Sequence, residues 1–102
     1  MRILPKPLIF DWDKGNIQKN VDKHGVSVQE SEEVFSYEPF IIAEDVDHST
    51  DDEQRFEALG QTNANRKLFV SFTIRAHKVR VISIRDMSSR EEAIYETIEK
   101  NS

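Results

Sequence analysis

Leu68-Phe69-Val70-Ser71-Phe72-Thr73-Ile74-Arg75 is apolar at every even position, while Ser71, Thr73 and Arg75 stand at odd ones. Successive side chains leave a strand on opposite faces, so this alternation predicts a strand with one buried face. Val79-Arg80-Val81-Ile82-Ser83-Ile84-Arg85 follows, apolar at alternating and adjacent positions, and reads as a central strand covered on both sides. Upstream, Arg55 to Gln61 reads as a further strand, with Gly60 and then Asn63 to Arg66 forming the turn. Phe40-Ile41-Ile42-Ala43 is another strand, joined to it by the polar loop Asp45 to Glu53. Strands in direct succession predict a mostly antiparallel sheet.

The flanks read as helical. Ser88 or Ser89, with Glu91 or Glu92 three residues on, opens a final helix carrying Ile94, Tyr95 and Ile98. Near the start, Leu8-Ile9-Phe10 reads as a short strand behind Pro5 and Pro7, and Asp11 or Asp13 caps a helix running to about His24. Ile17, Val21 and His24 recur at helical spacing and predict its inward stripe. Gly25 suits the left-handed position that ends a helix, and Ser27 with Glu30 forms a capping box for a second. Pro39 forbids that helix from continuing. The expected order is β-α-α-β-β-β-β-α, an α+β domain with helices against the sheet.

A chain of 102 residues predicts one domain with a core of its own. It has no cysteine, which excludes disulfides and thiolate metal sites and suits a cytoplasmic protein. No leader pattern opens it, and no apolar run reaches the length of a membrane span. The formal net charge of -5 disfavours broad, non-specific nucleic-acid binding. The charge is uneven, however: Glu44 to Glu53 holds six acids and no Lys or Arg, whereas Arg75, Lys78, Arg80 and Arg85 fall in a stretch without acids.

Most site motifs fail on spacing. The acidic loop lacks the glycine and the bidentate acid that a calcium loop needs, so it reads as a solvated connection. His24, His48 and His77 offer no helical metal-ligand pair. The second helix carries Glu30, Glu32 and Glu33, charges that would repel a DNA duplex from a helix–turn–helix reader. The basic stretch has more promise, because strand-borne arginines make two-pronged phosphate clamps. Strict alternation puts Ser83 and Arg85 on one face and Arg80 on the other. The same arginines could instead pair with glutamates of the last helix, or with Glu53 and Glu57.

Several runs in their order resemble one family. They are Phe10-Asp11-Trp12-Asp13, Asn20 with Lys23-His24-Gly25-Val26-Ser27, Val34-Phe35, Asp47-His48-Ser49, and Glu53 with Arg55 and Gly60. Arg80-Val81-Ile82-Ser83-Ile84-Arg85, Glu91 and Tyr95 complete the set. From about Phe10 to Tyr95 the chain is similar to BrnT-type toxins, the ribonuclease half of a bacterial type II toxin–antitoxin module. The resemblance implies a RelE-like fold, endoribonuclease activity on RNA, no cofactor, and a BrnA-like ribbon-helix-helix antitoxin through which alone DNA is contacted.

Metal-free RNA cleavage needs a base, an acid and a cation for the phosphate. Carried onto this chain, Lys23 and His24 are expected to move protons and Arg80 and Arg85 to hold the scissile phosphate. Glu53 is expected to orient an arginine or act as base, while Arg55, Ser83 and Tyr95 contact substrate. Ser89, Glu92 and Ala93 stand where basic residues are usual in the family. A catalytically weakened relative serving as a protein-binding module is therefore the second expectation.

Overall fold

The structure, a computed structural model, describes residues 3–101. Helix α1 (Lys14–His24) and the short α2 (Val28–Glu33) precede strand β1 (Ile41–Glu44) and a single 3-10 turn (Val46–His48). Strands β2 (Arg55–Gln61), β3 (Lys67–Arg75) and β4 (Lys78–Asp86) follow, and α3 (Ser89–Lys100) ends the order. The four strands lie in sequence order, each antiparallel to the next.

The expected first strand at Leu8–Phe10 reduces to one parallel bridge, Phe10 to Val79. Val79 N donates to Ile9 O and Asp11 N donates to Val79 O, each at 2.8 Å. Pro7 has no N–H to offer a ladder, and Asp13 already caps α1, so no length remains for a strand.

One face of the sheet carries the core. Phe56, Ala58, Leu68, Val70, Phe72, Val79, Val81 and Ile84 are buried there, joined by Val26, Val34 and Phe35 from the helical segment. Phe35 packs edge-on to Phe10 and Phe72 at centroid distances of 5.2 and 5.1 Å. Such aromatic pairs add specific geometry to the area they bury.

Helix α1 departs from its expected stripe. Val21 stays 44% exposed while Asn20 is buried. The reason is that α1 lies along the edge of β4 rather than over the sheet. Asn16 donates its amide to Val81 O, and Lys19 donates to Ile82 O at 3.0 Å. Asn16 and Lys19 thus satisfy the open strand edge, whereas the amide of the buried Asn20 finds no hydrogen-bond partner among the described residues.

A bulge corrects the second expectation. Ser71 pairs with Ser83 but Phe72 pairs with Val81, so Ile82 is an extra residue in β4. One inserted residue reverses the alternation beyond it. Arg80, Ser83 and Arg85 consequently share the face opposite the core, opposite Thr73, Ser71 and Phe69 respectively.

Candidate active site

The face opposite the core is arranged in cross-strand rows. Arg55, Thr73 and Arg80 form one, Glu57, Ser71 and Ser83 the next, and Leu59, Phe69 and Arg85 the third. Helix α3 closes the third row's end. Its start is fixed by a capping box in which Ser88 and Glu91 each take the other's backbone N–H. Glu91 then receives two bonds from Arg85, at 2.8 and 3.0 Å, and the Arg85 guanidinium lies 4.2 Å from the centre of the Phe69 ring. Further along α3, Glu99 accepts from Gln61 at 2.8 Å.

The first row stays open as a shallow cleft of about 300 Å³, lined by Asp13, Asn16, Glu53, Arg55, Thr73, Arg75 and Arg80, with Val81 and Ile82. Strands β2, β3 and β4, the loop before β2 and the start of α1 build it. Thr73 is buried and donates its hydroxyl to Gln54 O at 2.7 Å, tying the strand to the loop that carries Glu53. Glu53 accepts from Arg55 Nε at 2.9 Å and from Arg75 Nη2 at 2.8 Å. Asp13 caps α1 with one oxygen, accepting from Asn16 N at 2.8 Å, and holds Arg80 Nη2 at 2.5 Å with the other. Asp11 lies 3.6 Å from Arg80 Nη1.

The charges act on one another. Arg75 and then Arg55 hold the Glu53 carboxyl below its usual range, so it is ionised at neutral pH. The Asn16 N–H, followed by Arg80, does the same for Asp13, and Asp13 raises Arg80 in return. Glu57 in the next row shifts the other way, raised by burial and by the nearby Asp45. The sheet face thus offers three fixed cations beside two firmly ionised acids, Glu53 and Asp13, and one more basic carboxylate, Glu57. Such a set can bind a phosphate diester and accept a proton beside it.

Of the residues expected from the sequence, Glu53, Arg55 and Arg80 meet in this cleft, and Ser83 lies one row away. Arg85 shares the face but is engaged by Glu91. Lys23 and His24 do not join them. They end α1, about 16 Å along the helix axis from its Asp13 cap, given 1.5 Å per residue. There Arg66 organises the corner, donating to the carbonyls of His24 and Gly25 at 3.0 and 2.9 Å and to Asp86 at 2.8 Å. Arg66 holds the Asp86 carboxyl below its usual range.

Tyr95 is also elsewhere. It is fully buried, its hydroxyl donates to Pro39 O at 2.6 Å, and burial pushes its pKa up to about 12. A ring packed in this way is not available to stack on a base, which corrects the expected substrate contact.

Arg75, Asp11, Asp13 and Asn16 were not expected in the site. Alternation along β3 places Arg75 with Thr73, so that much was readable. The aspartates carried a capping signal and a place in the resembling run Phe10-Asp11-Trp12-Asp13, but no site role. Their pairing with Arg80 spans 67 positions in sequence for Asp13, beyond any local pattern. The acidic loop resolves as the solvated reading predicts: Asp45 accepts from His48 Nδ1 at 2.8 Å and caps the 3-10 turn.

Comparison with known proteins agrees with this architecture. A family model described as the ribonuclease toxin BrnT of type II toxin–antitoxin systems matches residues 12–91, which include Asp13, Glu53 and the cleft arginines. The fold is similar to the crystal structure of the Brucella abortus ribonuclease toxin BrnT, at 25% sequence identity and a TM-score of 0.58. That match covers 80% of this chain and 99% of the Brucella chain. No curated protein matches significantly. On the extent of the family match, the chain belongs to the BrnT ribonuclease toxins of type II toxin–antitoxin systems.

Proposed function

We propose that this chain is an active endoribonuclease whose cleft at Glu53, Arg55, Arg75 and Arg80 binds the scissile phosphate of RNA. The observation that carries the reading is the convergence of Arg55 and Arg75 on Glu53, with Arg80 lining the same cleft, on a protein of net charge -5. Cleavage by the ribose 2′-hydroxyl needs a group to take its proton and cations to meet the charge developing on phosphorus. Glu53 is ionised at neutral pH and so can take the proton. The arginines that depress its pKa leave Glu57, one row away, the more basic carboxylate for the first task. Arg80, Arg75 and Arg55 supply the second from the chain itself, so the reaction proceeds without a metal. Ser83 and Arg85 extend the same face toward neighbouring nucleotides, whereas Lys23 and His24, at the far end of α1, take no part in the proton transfer expected of them.

In this reading the protein arrests growth by cutting messenger RNA and so stopping translation in the cytoplasm. A BrnA-like antitoxin of ribbon-helix-helix type neutralises it and makes the DNA contacts. The fold is of the RelE-like kind. No helix among the described residues is long and apolar enough to cross a membrane.

The purified protein should cleave single-stranded RNA. Arg80→Ala should lower the rate about 100-fold or more, the usual loss when one charge-stabilising donor is removed. Intact RNA after incubation with the folded wild-type protein would sink the proposal. It would favour instead the protein-binding module, a reading supported by the engagement of Arg55, Arg75, Arg80 and Arg85 with carboxylates of the same chain.

A further inference from the structure

We infer that Asp11 and Asp13 are built-in counter-anions of Arg80 that set how tightly the cleft holds RNA. The inference rests on the ribonuclease reading and deepens it. Three arginines, Arg55, Arg75 and Arg80, face three acids, Asp11, Asp13 and Glu53. The cleft is therefore close to neutral before RNA arrives, and the long-range attraction that drives phosphate binding is largely cancelled.

The contact geometry adds competition. A guanidinium grips a phosphate with two parallel N–H groups. Nη2 belongs to both of the faces that can do so, and Nη2 of Arg80 already donates to Asp13. Nη1 lies 3.6 Å from Asp11. Arriving phosphate must share these donors with the aspartates or displace them. Glu53 differs, because it bridges two arginines and stands in the proposed reaction. Asp11 and Asp13 lie outside the four strands, at the entry to α1.

The position of Asp13 makes a clean test available. Asparagine serves as a helix cap nearly as well as aspartate. Asp13→Asn thus keeps an oxygen for Asn16 N and removes only the charge beside Arg80. Asp11 has no capping role, so Asp11→Asn tests the same inference independently. Asp22→Asn, on α1 about 13 Å along the axis from the Asp13 cap, serves as the control for general loss of negative charge.

The probe is a fluorescent single-stranded 2′-O-methyl oligoribonucleotide, which binds but lacks the nucleophile for cleavage. Relative to wild type, Asp11→Asn/Asp13→Asn should tighten the dissociation constant about 5- to 20-fold at low salt. Each single variant should give part of that gain, and the gain should shrink as salt screens the charges. Asp22→Asn should stay within about twofold of wild type, beyond the reach of screened charge. Wild-type binding that the double variant leaves unchanged or weakens overturns the counter-anion inference alone, since RNA still binds. Equal tightening by Asp22→Asn overturns it as well, by reducing the effect to net charge. Absence of binding by every folded form at low salt removes the ribonuclease reading and the inference together.

Discussion

Gly60 shows how one residue sets the junction of helix and sheet. A Cβ built there would lie 2.8 Å from Phe40 Cδ1, 2.8 Å from Val34 Cγ2 and 3.3 Å from Val34 O. Those neighbours are core side chains and backbone, so neither can retreat freely. Gly60→Ala should therefore destabilise the fold by about 1–3 kcal/mol, as overpacked sites do, measurable as a lower urea midpoint at unchanged slope. An unchanged midpoint would show that the Val34–Phe40 corner yields. In the sequence this glycine reads only as part of a turn, because the close approach comes from residues 20 and 26 positions away. The arginines were better marked. A run of Arg and Lys free of acids announces a cationic surface, but residue type says nothing of which carboxylate each one meets.

At the scale of elements, the corner Lys23-His24-Gly25-Val26-Ser27 follows its local chemistry. Gly25 takes φ +61°, and Ser27 with Glu30 closes the capping box, as expected. What locks the corner in place is Arg66, from the turn before β3, which spans the His24 and Gly25 carbonyls, Glu30 and Asp86. Arg66→Ala should cost about 1–3 kcal/mol, the range for hydrogen bonds involving a charged group, tempered by the pairs' partial exposure. Amide exchange at Gly25 and Val26 should accelerate more than exchange in β3. Uniform acceleration would show that Arg66 supports the whole sheet and not this corner. The bulge at Ile82 is the contrary case. Val79 to Arg85 has no glycine, and its apolar pattern allows either parity. Pairing with β3 decides it, and with it the meeting of Arg80 and Arg85 on one face.

Across the whole molecule, carboxylates tie the elements together. Asp13, Glu30, Glu53, Asp86 and Glu91 all have depressed pKa values, through backbone N–H groups and Arg80, Arg66, Arg75, Arg55 and Arg85. A depressed carboxylate lends stability above its unfolded pKa and loses it as pH falls through its folded one. Chemical denaturation should thus give nearly constant stability between pH 7 and about 5, then a steady decline below about 4.5, where these groups begin to titrate. Raised Glu57 opposes this weakly, since burial favours its protonated form. A midpoint that climbs toward pH 3 would contradict the assignment. The limits of α1 and α3, the helix starts, the antiparallel strands and the buried residues of β3 follow from the sequence, because they depend on residues within a turn or on a period of two or 3.6. Helix α2 instead ends at Glu33, well before the Pro39 expected to stop it. The tertiary structure decided the rest. It turned α1 edgewise against β4, buried Tyr95, reduced the first strand to a bridge and inserted the bulge. It also joined Asp13, Glu53 and Arg80 from three separate elements into one cleft. These outcomes depend on which distant groups satisfy an open strand edge or a buried polar atom, a balance among long-range partners that no local pattern encodes.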